Sequence, residues 1–270
     1  MIHAQPAGSG AGTANPWHDW RMQSVPELCH KASGVLGVCK PSGLPTQAPR
    51  GIASVESWLR GRFPAGHYLG VPHRLDRAVS GIMLFAATPR AARQLSRQFS
   101  RRQIGKTYLA LAVPSSTATD VIESLRQAGA DGLVWNDTLE KIPDQPRARI
   151  VETGTQGAAE ATTRVRLLAE GIGEHHAVLL QMEPETGRMH QLRVQASARA
   201  LPILGDTLYG GPADRTDPEG DARAAPIALH AWRIRFADPD TKQGLELESP
   251  PPSTWPDIGR WIGDGSATSA

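Results

Sequence analysis

One short stretch of this sequence, VPHRLDRAVSGIMLFA (residues 71–86), concentrates side chains that could do chemistry. It places the carboxylate of Asp76 close to two potential cations, His73 and Arg74. A Ser-Gly pair and an uncharged apolar segment follow, and small residues at such a point permit a ligand to approach the backbone closely. A carboxylate held beside cations at the entrance of a strand could therefore act on a bound ligand.

A second polar cluster, TGRMHQLRVQ (186–195), lies far away in the sequence and is also flanked by apolar segments. It contributes His190 and Arg193, and the two clusters could line one shared cleft. The alternative is a surface ion pair beside a strand, which is common and contributes little to stability. From the residues alone, the surface ion pair is the simpler interpretation.

The composition is that of an ordinary globular protein. The chain has 270 residues, 40% hydrophobic and 21% charged, with a net charge of +2, so it is long enough to bury a sizeable core. Its two cysteines, Cys29 and Cys39, form neither a disulfide framework nor a zinc motif, which favours a reducing, cytoplasmic setting. We find no secretory signal and no apolar run long enough to span a membrane.

The elements that must position the two clusters are predicted from apolar periodicity. Strands are predicted over 34–40, 81–87 and 107–113, and a short helix over 54–63. A further helix is predicted over 89–106, with apolar side chains on one face and arginines on the opposite face. The apolar set is Ala92, Leu95 and Phe99, and the basic set is Arg90, Arg93, Arg97 and Arg101.

The second half of the chain is predicted to contain further strands and one more helix. Two paired strands (161–168 and 176–183), a helix (186–200) and a last strand (227–236) are expected, with a loop-rich segment over 205–226. Strands outnumber helices, so we predict an α+β fold: a single catalytic domain around a mixed, mainly antiparallel β-sheet with flanking helices. The domain is expected over 27–258, with 114–160 as an insertion or excursion and flexible tails at 1–26 and 259–270.

Six segments together resemble the RluA-type RNA pseudouridine synthases. HRLDRAVSG is similar to the family signature HRLDxxTSG, and the other five segments match further family motifs in the family's order. They are GVCKPSGLP, GKTYLALA, ETGRMHQLRVQ, PILGDTLYGG and IALHAWRIRF. The resemblance covers roughly residues 34–250, and it implies the pseudouridine synthase fold. Many members carry a separate S4 domain, but only 33 residues precede Gly34, so no S4 domain is expected.

The resemblance implies an isomerase acting on uridine in RNA. In the family reaction the N1–C1′ bond breaks, the uracil turns, and C5 bonds to C1′. Nothing is added or removed, so no cofactor and no metal is expected, and the sequence has no nucleotide-binding glycine motif. The expected partner is a ribosomal or transfer RNA stem-loop with a flipped uridine, without membrane association, and the protein is expected to be a monomer.

Site residues follow from the resemblance position by position. Asp76 is the expected catalytic carboxylate, which stabilises charge, attacks C1′ or takes the C2′ proton. Arg193 aligns with the arginine that pairs with it, and an adjacent guanidinium favours an ionised carboxylate. Tyr108 aligns with the tyrosine that stacks on the target base, and Leu192 is an expected apolar wall. Arg74 aligns with an arginine that enters the RNA helix in some members, where flipping a base costs about a few kcal/mol.

Other positions keep alternatives open. His73 and His190 are expected to border the substrate and to position neighbours by hydrogen bonds rather than act as acid or base. Lys40 is either a cation at a strand end or a contact to RNA phosphate. The arginine face of the 89–106 helix is either an RNA contact or a solvated surface. Its candidate RNA contacts are Arg93, Arg97 and Arg101.

The chain also departs from the family pattern. Val79 and Met189 stand where the family usually has Thr, and Gln195 stands where it has His. No second acidic residue in the matched segments has an obvious role. An alternative function is a non-catalytic RNA-binding or assembly protein on the same fold, but the presence of Asp76 and its expected partners favours the enzyme.

Overall fold

Ten strands form one sheet in the computed structural model, which describes residues 25–213 and 225–262. The strands are β1 (Glu27–Ala32), β2 (Val35–Lys40), β3 (Ser80–Ala86), β4 (Gly105–Ala112), β5 (Leu133–Lys141), β6 (Ala148–Val151), β7 (Ala159–Ile172), β8 (Ala177–Pro184), β9 (Leu229–Ala237) and β10 (Gly244–Glu248). Most of both predicted tails (1–24 and 263–270) and part of the loop-rich segment (214–224) lie outside the described residues.

The sheet is mixed and mainly antiparallel, as the sequence predicts. Its strand order is β1-β2-β3-β9-β4-β8-β7-β5-β6, and β10 pairs with β9. Among the named strands, β3 and β9 are parallel and every other pair is antiparallel. The fold class is therefore confirmed, and β1 and β10 are strands that the sequence patterns did not indicate.

Strand β3 forms the centre of the core around the first cluster. All seven of its residues are buried, because successive side chains point to opposite faces and both faces are covered. Ile82 and Leu84 pack in the cluster that contains Leu95, whereas Met83 and Phe85 pack in a second apolar cluster on the other face. The uncharged run that follows Asp76 in the sequence is explained by this burial on both sides.

The two halves of the sheet meet at a narrow seam between β3 and β9. Only Ser80 with His230 and Gly81 with Ala231 are in register there. Gly81 has φ +120°, and a Cβ atom at this position would lie 2.2 Å from the Ala231 carbonyl oxygen. A glycine is therefore required for the strands to approach. Tyr108 of β4 lies opposite Ala231, so the seam brings the Tyr108 strand beside the strand that follows Asp76.

Within the described residues, five α-helices flank the sheet: α1 (Val55–Arg60), α2 (Pro89–Ser100), α3 (Thr119–Ala128), α4 (Gln191–Ala198) and α5 (Gly259–Ile262). Helix α2 begins at Pro89, and the Thr88 hydroxyl accepts a hydrogen bond from the Ala91 amide as its N-cap. Its arginine side chains are exposed and its apolar face is covered, as predicted. It ends earlier than predicted, because Arg102 adopts φ +55°.

The segment 114–160 folds as part of the same sheet. It contains α3, β5 and β6, and β5 pairs with β7 from Leu133 to Leu139. Helix α4 starts five residues later than the predicted helix over 186–200, since residues 186–190 form a loop. Residues 259–262, placed in a flexible tail by the sequence analysis, form α5.

Candidate active site

The loop that carries Asp76 runs beside β3 and is anchored by hydrogen bonds on both of its sides. His73 Nε2 accepts a hydrogen bond from the Leu84 amide (2.8 Å), and its ring stacks on Phe99 with the centroids 4.6 Å apart. Burial, reinforced by a nearby lysine charge, lowers the pKa of His73 to about 3, so this ring is neutral. The Thr46 hydroxyl donates to the Leu75 carbonyl (3.0 Å) and accepts from the Leu75 amide. The backbone of this loop is therefore fixed by His73 on one side and by Thr46 on the other.

Lys40 anchors the same loop from behind. It is 2% exposed, and its ammonium donates to the carbonyls of Pro41 (2.9 Å), Leu44 (2.7 Å) and Arg77 (3.1 Å). Burial lowers the pKa of Lys40 to about 7, opposed by the charge of Asp76. All three hydrogens are used, so the geometry is that of a structural cation and leaves none for an RNA phosphate.

Arg193 connects Asp76 with a second carboxylate. Its Nε and Nη2 donate to the two oxygens of Asp206, both at 2.7 Å, and its Nη1 lies 3.4 Å from Asp76 Oδ2. The side chains of Arg193 and Asp206 are 4% and 1% exposed, whereas that of Asp76 is 35% exposed. Burial alone would lower the pKa of Arg193, but its hydrogen bonds and ion pair with Asp206 raise it.

Asp206 is the residue that the sequence analysis missed. It lies within the matched segment PILGDTLYGG, so its position was available, but no spacing rule connects it to Arg193. The expectation that no second acidic residue has a role was wrong. Asp206 fixes the guanidinium in a bidentate pair, and that pair leaves one arm of the guanidinium directed at Asp76.

His190 also approaches Asp76. Its Nε2 lies 3.7 Å from Asp76 Oδ2, and its Nδ1 lies 2.9 Å from the Tyr209 hydroxyl. Burial lowers the pKa of His190, and the charge of Asp76 opposes this effect. The structure therefore brings together Asp76, Arg193 and His190 from the two clusters, joined by a tyrosine that the sequence analysis did not single out.

Apolar side chains line this part of the molecule. Leu192 of α4 and Val79 are buried in the same core cluster, and Tyr108 packs at its border. Tyr108 also contacts the apolar cluster around Met83. Burial, and then the charge of Asp76, raises the pKa of Tyr108, so its phenol remains protonated. Val79, which replaces a family threonine, has apolar surroundings in which its methyl groups pack.

The remaining candidate residues stand at the surface. Arg74 is exposed and forms no ion pair with any carboxylate in the described part of the chain. The same holds for the exposed residues Arg93, Arg97 and Arg101, while Arg90 of the same helix pairs with Asp240 at 3.2 Å. Since no carboxylate in residues 25–213 or 225–262 pairs with these four guanidinium groups, they can contact an anionic partner.

Two further features concern metal ions and membranes. Within residues 25–213 and 225–262, no group of three or more His, Cys, Asp or Glu side chains is arranged to hold a metal ion. None of the helices in these ranges is long and apolar enough to cross a membrane.

Comparison with known proteins shows which family the chain is similar to. Residues 34–198, more than half of the chain, match the family model described as RNA pseudouridylate synthase. The chain is 33% identical to the dual-specificity RNA pseudouridine synthase RluA of Yersinia pestis, over 76% of this chain and 89% of that protein. It is 32% identical to the ribosomal large subunit pseudouridine synthase D of Xylella fastidiosa, over 87% of this chain and 70% of that protein. A solved structure, human RNA pseudouridylate synthase domain containing 1, superposes with a TM-score of 0.64 at 25% identity, covering 86% of this chain and 88% of that one.

Proposed function

Because this chain belongs to the RluA family of RNA pseudouridine synthases, which are intramolecular isomerases, we propose that it converts specific uridines of ribosomal or transfer RNA to pseudouridine, with Asp76 as the catalytic carboxylate. The observation that carries the proposal is the setting of Asp76. Its carboxylate is 35% exposed, so a nucleoside can reach it, while Arg193 holds it from the buried side.

The surroundings of Asp76 fit the demands of the reaction. Breaking the N1–C1′ bond develops positive charge on the sugar, and a fixed carboxylate stabilises that charge in an enclosed site. Attack at C1′ and removal of the C2′ proton both use a carboxylate oxygen, and Arg193 Nη1, 3.4 Å from Asp76 Oδ2, holds that carboxylate in place. A water-excluding wall matters because the detached uracil must rejoin C1′ before water does.

Tyr108 and Leu192 support the binding of a flat base. Both pack in or against the same apolar cluster, and the protonated phenol keeps the ring of Tyr108 neutral. In the proposed complex, the aromatic face stacks on the uracil and the leucine borders it, so the base can turn between apolar surfaces. Arg74, exposed just before Asp76, is proposed to fill the gap that the flipped uridine leaves.

Tritium release tests the proposal directly. The purified chain, without nucleotide and in EDTA, is incubated with ribosomal and transfer RNA that carries tritium at uridine C5, where the isomerisation liberates the label. Wild-type protein is expected to release tritium. Asp76→Asn should abolish release and retain RNA binding, because an amide keeps the shape and loses the charge. Asp120→Asn, the same substitution at an exposed position of α3, is the matched control and should be fully active.

Release by Asp76→Asn at the wild-type rate would show that another group does the chemistry. The RNA itself is identified by mapping pseudouridines in RNA from a strain that lacks the gene. A uridine that is modified only in the presence of the gene defines the target.

A further inference from the structure

His190 occupies a strained backbone position at the entrance of α4. It is the residue before the first turn and adopts φ +53°, ψ +23°, a left-handed conformation that is uncommon for residues other than glycine. Such strain persists only where the surrounding structure holds the residue in place. The contacts of the imidazole therefore indicate why the chain places a histidine here.

The tautomer of His190 follows from the hydrogen bonds of Tyr209. The Tyr209 hydroxyl accepts a hydrogen bond from the Ala148 amide (2.9 Å) and lies 2.9 Å from His190 Nδ1. Burial raises the pKa of Tyr209, so its hydroxyl keeps its one proton. No other acceptor for that proton contacts the hydroxyl among the described residues, so the hydroxyl donates to Nδ1. A neutral imidazole that accepts at Nδ1 carries its proton on Nε2.

That Nε2–H points toward the proposed catalytic carboxylate. Nε2 lies 3.7 Å from Asp76 Oδ2, the same oxygen that Arg193 Nη1 approaches at 3.4 Å. The charged groups that face the imidazole are Asp76, Arg193 and Asp206, and the last two form a closed pair. The 3.7 Å separation is longer than a hydrogen bond, so the neutral imidazole becomes a donor to Asp76 only when a bound substrate closes the site and shortens this contact.

We infer that His190 is a positioning residue for Asp76: its Nε2–H and Arg193 together fix the Oδ2 oxygen, and Oδ1 is the oxygen that meets the nucleoside. Within the described residues, no hydrogen-bond donor contacts Oδ1. The inference rests on the proposed function. It extends that function by assigning the two carboxylate oxygens different roles and by connecting Asp76, through Tyr209, to the Ala148 amide at the start of β6.

Two substitutions separate the two ends of the imidazole. Asn is short and tolerates a left-handed φ, so the side chain of His190→Asn can replace the Nδ1 contact to Tyr209 but does not reach Asp76. The longer side chain of His190→Gln can reach Asp76 as Nε2 does. We expect kcat for tritium release to fall about tenfold or more in His190→Asn, because a hydrogen bond to a charged group is lost, and to recover in part in His190→Gln. KM for RNA should change little in both.

His176→Asn is the matched control. His176 also has a left-handed φ (+47°), but it lies exposed in the turn between β7 and β8. This variant undergoes the same chemical change in the same backbone conformation, and kcat should stay at the wild-type value. Reduced activity in His190→Asn together with a normal control is then an effect of the contact with Asp76.

The pH profile provides a readout that a purely structural role would leave unchanged. Tyr209→Phe removes the donor to Nδ1, so this nitrogen becomes free to take up a proton. Burial still lowers the pKa of His190 in this variant, but the donor that kept Nδ1 unprotonated is gone, so we expect kcat of Tyr209→Phe to decline on acidification at a higher pH than wild-type kcat does. If Tyr209→Phe does not fold, the comparison of His190→Asn and His190→Gln with the control His176→Asn is sufficient to test the inference.

The outcomes distinguish the inference from the function on which it rests. Wild-type release with an inactive Asp76→Asn and a normal kcat in His190→Asn would overturn the role of His190 and leave the proposed function standing. A wild-type protein that releases no tritium from any RNA would overturn the proposed function itself. A pH profile of Tyr209→Phe that superimposes on the wild-type profile would likewise contradict the assigned tautomer.

Discussion

Replacing Asp206 by Asn should reduce both the free energy of unfolding and the turnover of this protein. Asp206 is almost fully buried, so its effect on turnover is exerted through Arg193. The carboxylate makes two hydrogen bonds of 2.7 Å to Arg193, and both side chains are nearly inaccessible to water. Removing one partner of such a pair leaves an uncompensated buried charge, which typically costs about 3–5 kcal/mol. Asn retains the shape and one acceptor, and Asp76 remains nearby, so we expect a value of about 3 kcal/mol.

Two measurements follow from that magnitude. For a chain of this size each kcal/mol shifts the midpoint of thermal unfolding by about 2–4 °C, so Asp206→Asn should unfold about 6–12 °C lower. Without its bidentate partner, Arg193 can turn toward Asp76, and small displacements in an active site reduce turnover strongly. We therefore expect kcat for tritium release to fall about tenfold to a hundredfold. KM for RNA should hold, because RNA cannot reach Asp206.

The chain offers a control of the same geometry at the surface. Arg126 Nη2 contacts both oxygens of Glu170 at 3.0 Å, but both side chains are exposed. Water screens such pairs, so Glu170→Gln should leave the unfolding midpoint and turnover at wild-type values. If Asp206→Asn unfolds and turns over like Glu170→Gln, burial does not strengthen the Arg193 pair, and the argument that Asp206 orients Arg193 is refuted.

The sequence pattern predicted correctly those strands and helices whose structure depends on their own residues. β3 is a short uncharged run and is buried on both faces, and α2 has an apolar face and a basic face. By contrast, β1 and β10 have no buried residue, and their alternation of half-buried and exposed side chains covers only five or six residues, too few to distinguish a strand from a loop. β5 alternates only weakly, and its place in the sheet is decided by pairing with β7, which the sequence does not display.

The start of α4 shows how side chains override helical periodicity. Gln191 Oε1 accepts hydrogen bonds from the Thr186 hydroxyl (2.7 Å) and the Arg188 amide (3.0 Å). These bonds stabilise a loop over 186–190, where the pattern predicted helix, because polar side chains can satisfy the backbone in place of the helix. The loop then places His190 beside Asp76, a contact that requires the left-handed φ and that no periodicity could indicate.

Two remaining predictions concern the basic surface and the buried seam. Three exposed arginines lie on or next to α2: Arg93 and Arg97 within the helix and Arg101 at its C-cap. Changing all three to Gln should weaken RNA binding and reduce the slope of log affinity against log salt by about one per lost phosphate contact, with turnover on saturating RNA preserved. An unchanged affinity and slope would mean that this surface is only solvated. His230 at the seam donates from Nε2 to the Ser249 carbonyl (2.9 Å), so the Nδ1 of the neutral ring accepts from the Ser80 hydroxyl (2.9 Å). Burial lowers its pKa to about 4, although the bond to Ser249 opposes the shift. In the unfolded chain His230 takes up a proton near pH 6.5, whereas in the native state it does so only near pH 4. Acidification therefore removes free energy of unfolding that is present at pH 7, by about 2 kcal/mol at pH 5. His230→Gln does not titrate and should lose correspondingly less stability between pH 7 and pH 5 in urea unfolding. An equal loss in variant and wild type would show that His230 is not the buried neutral group that makes the seam sensitive to acid.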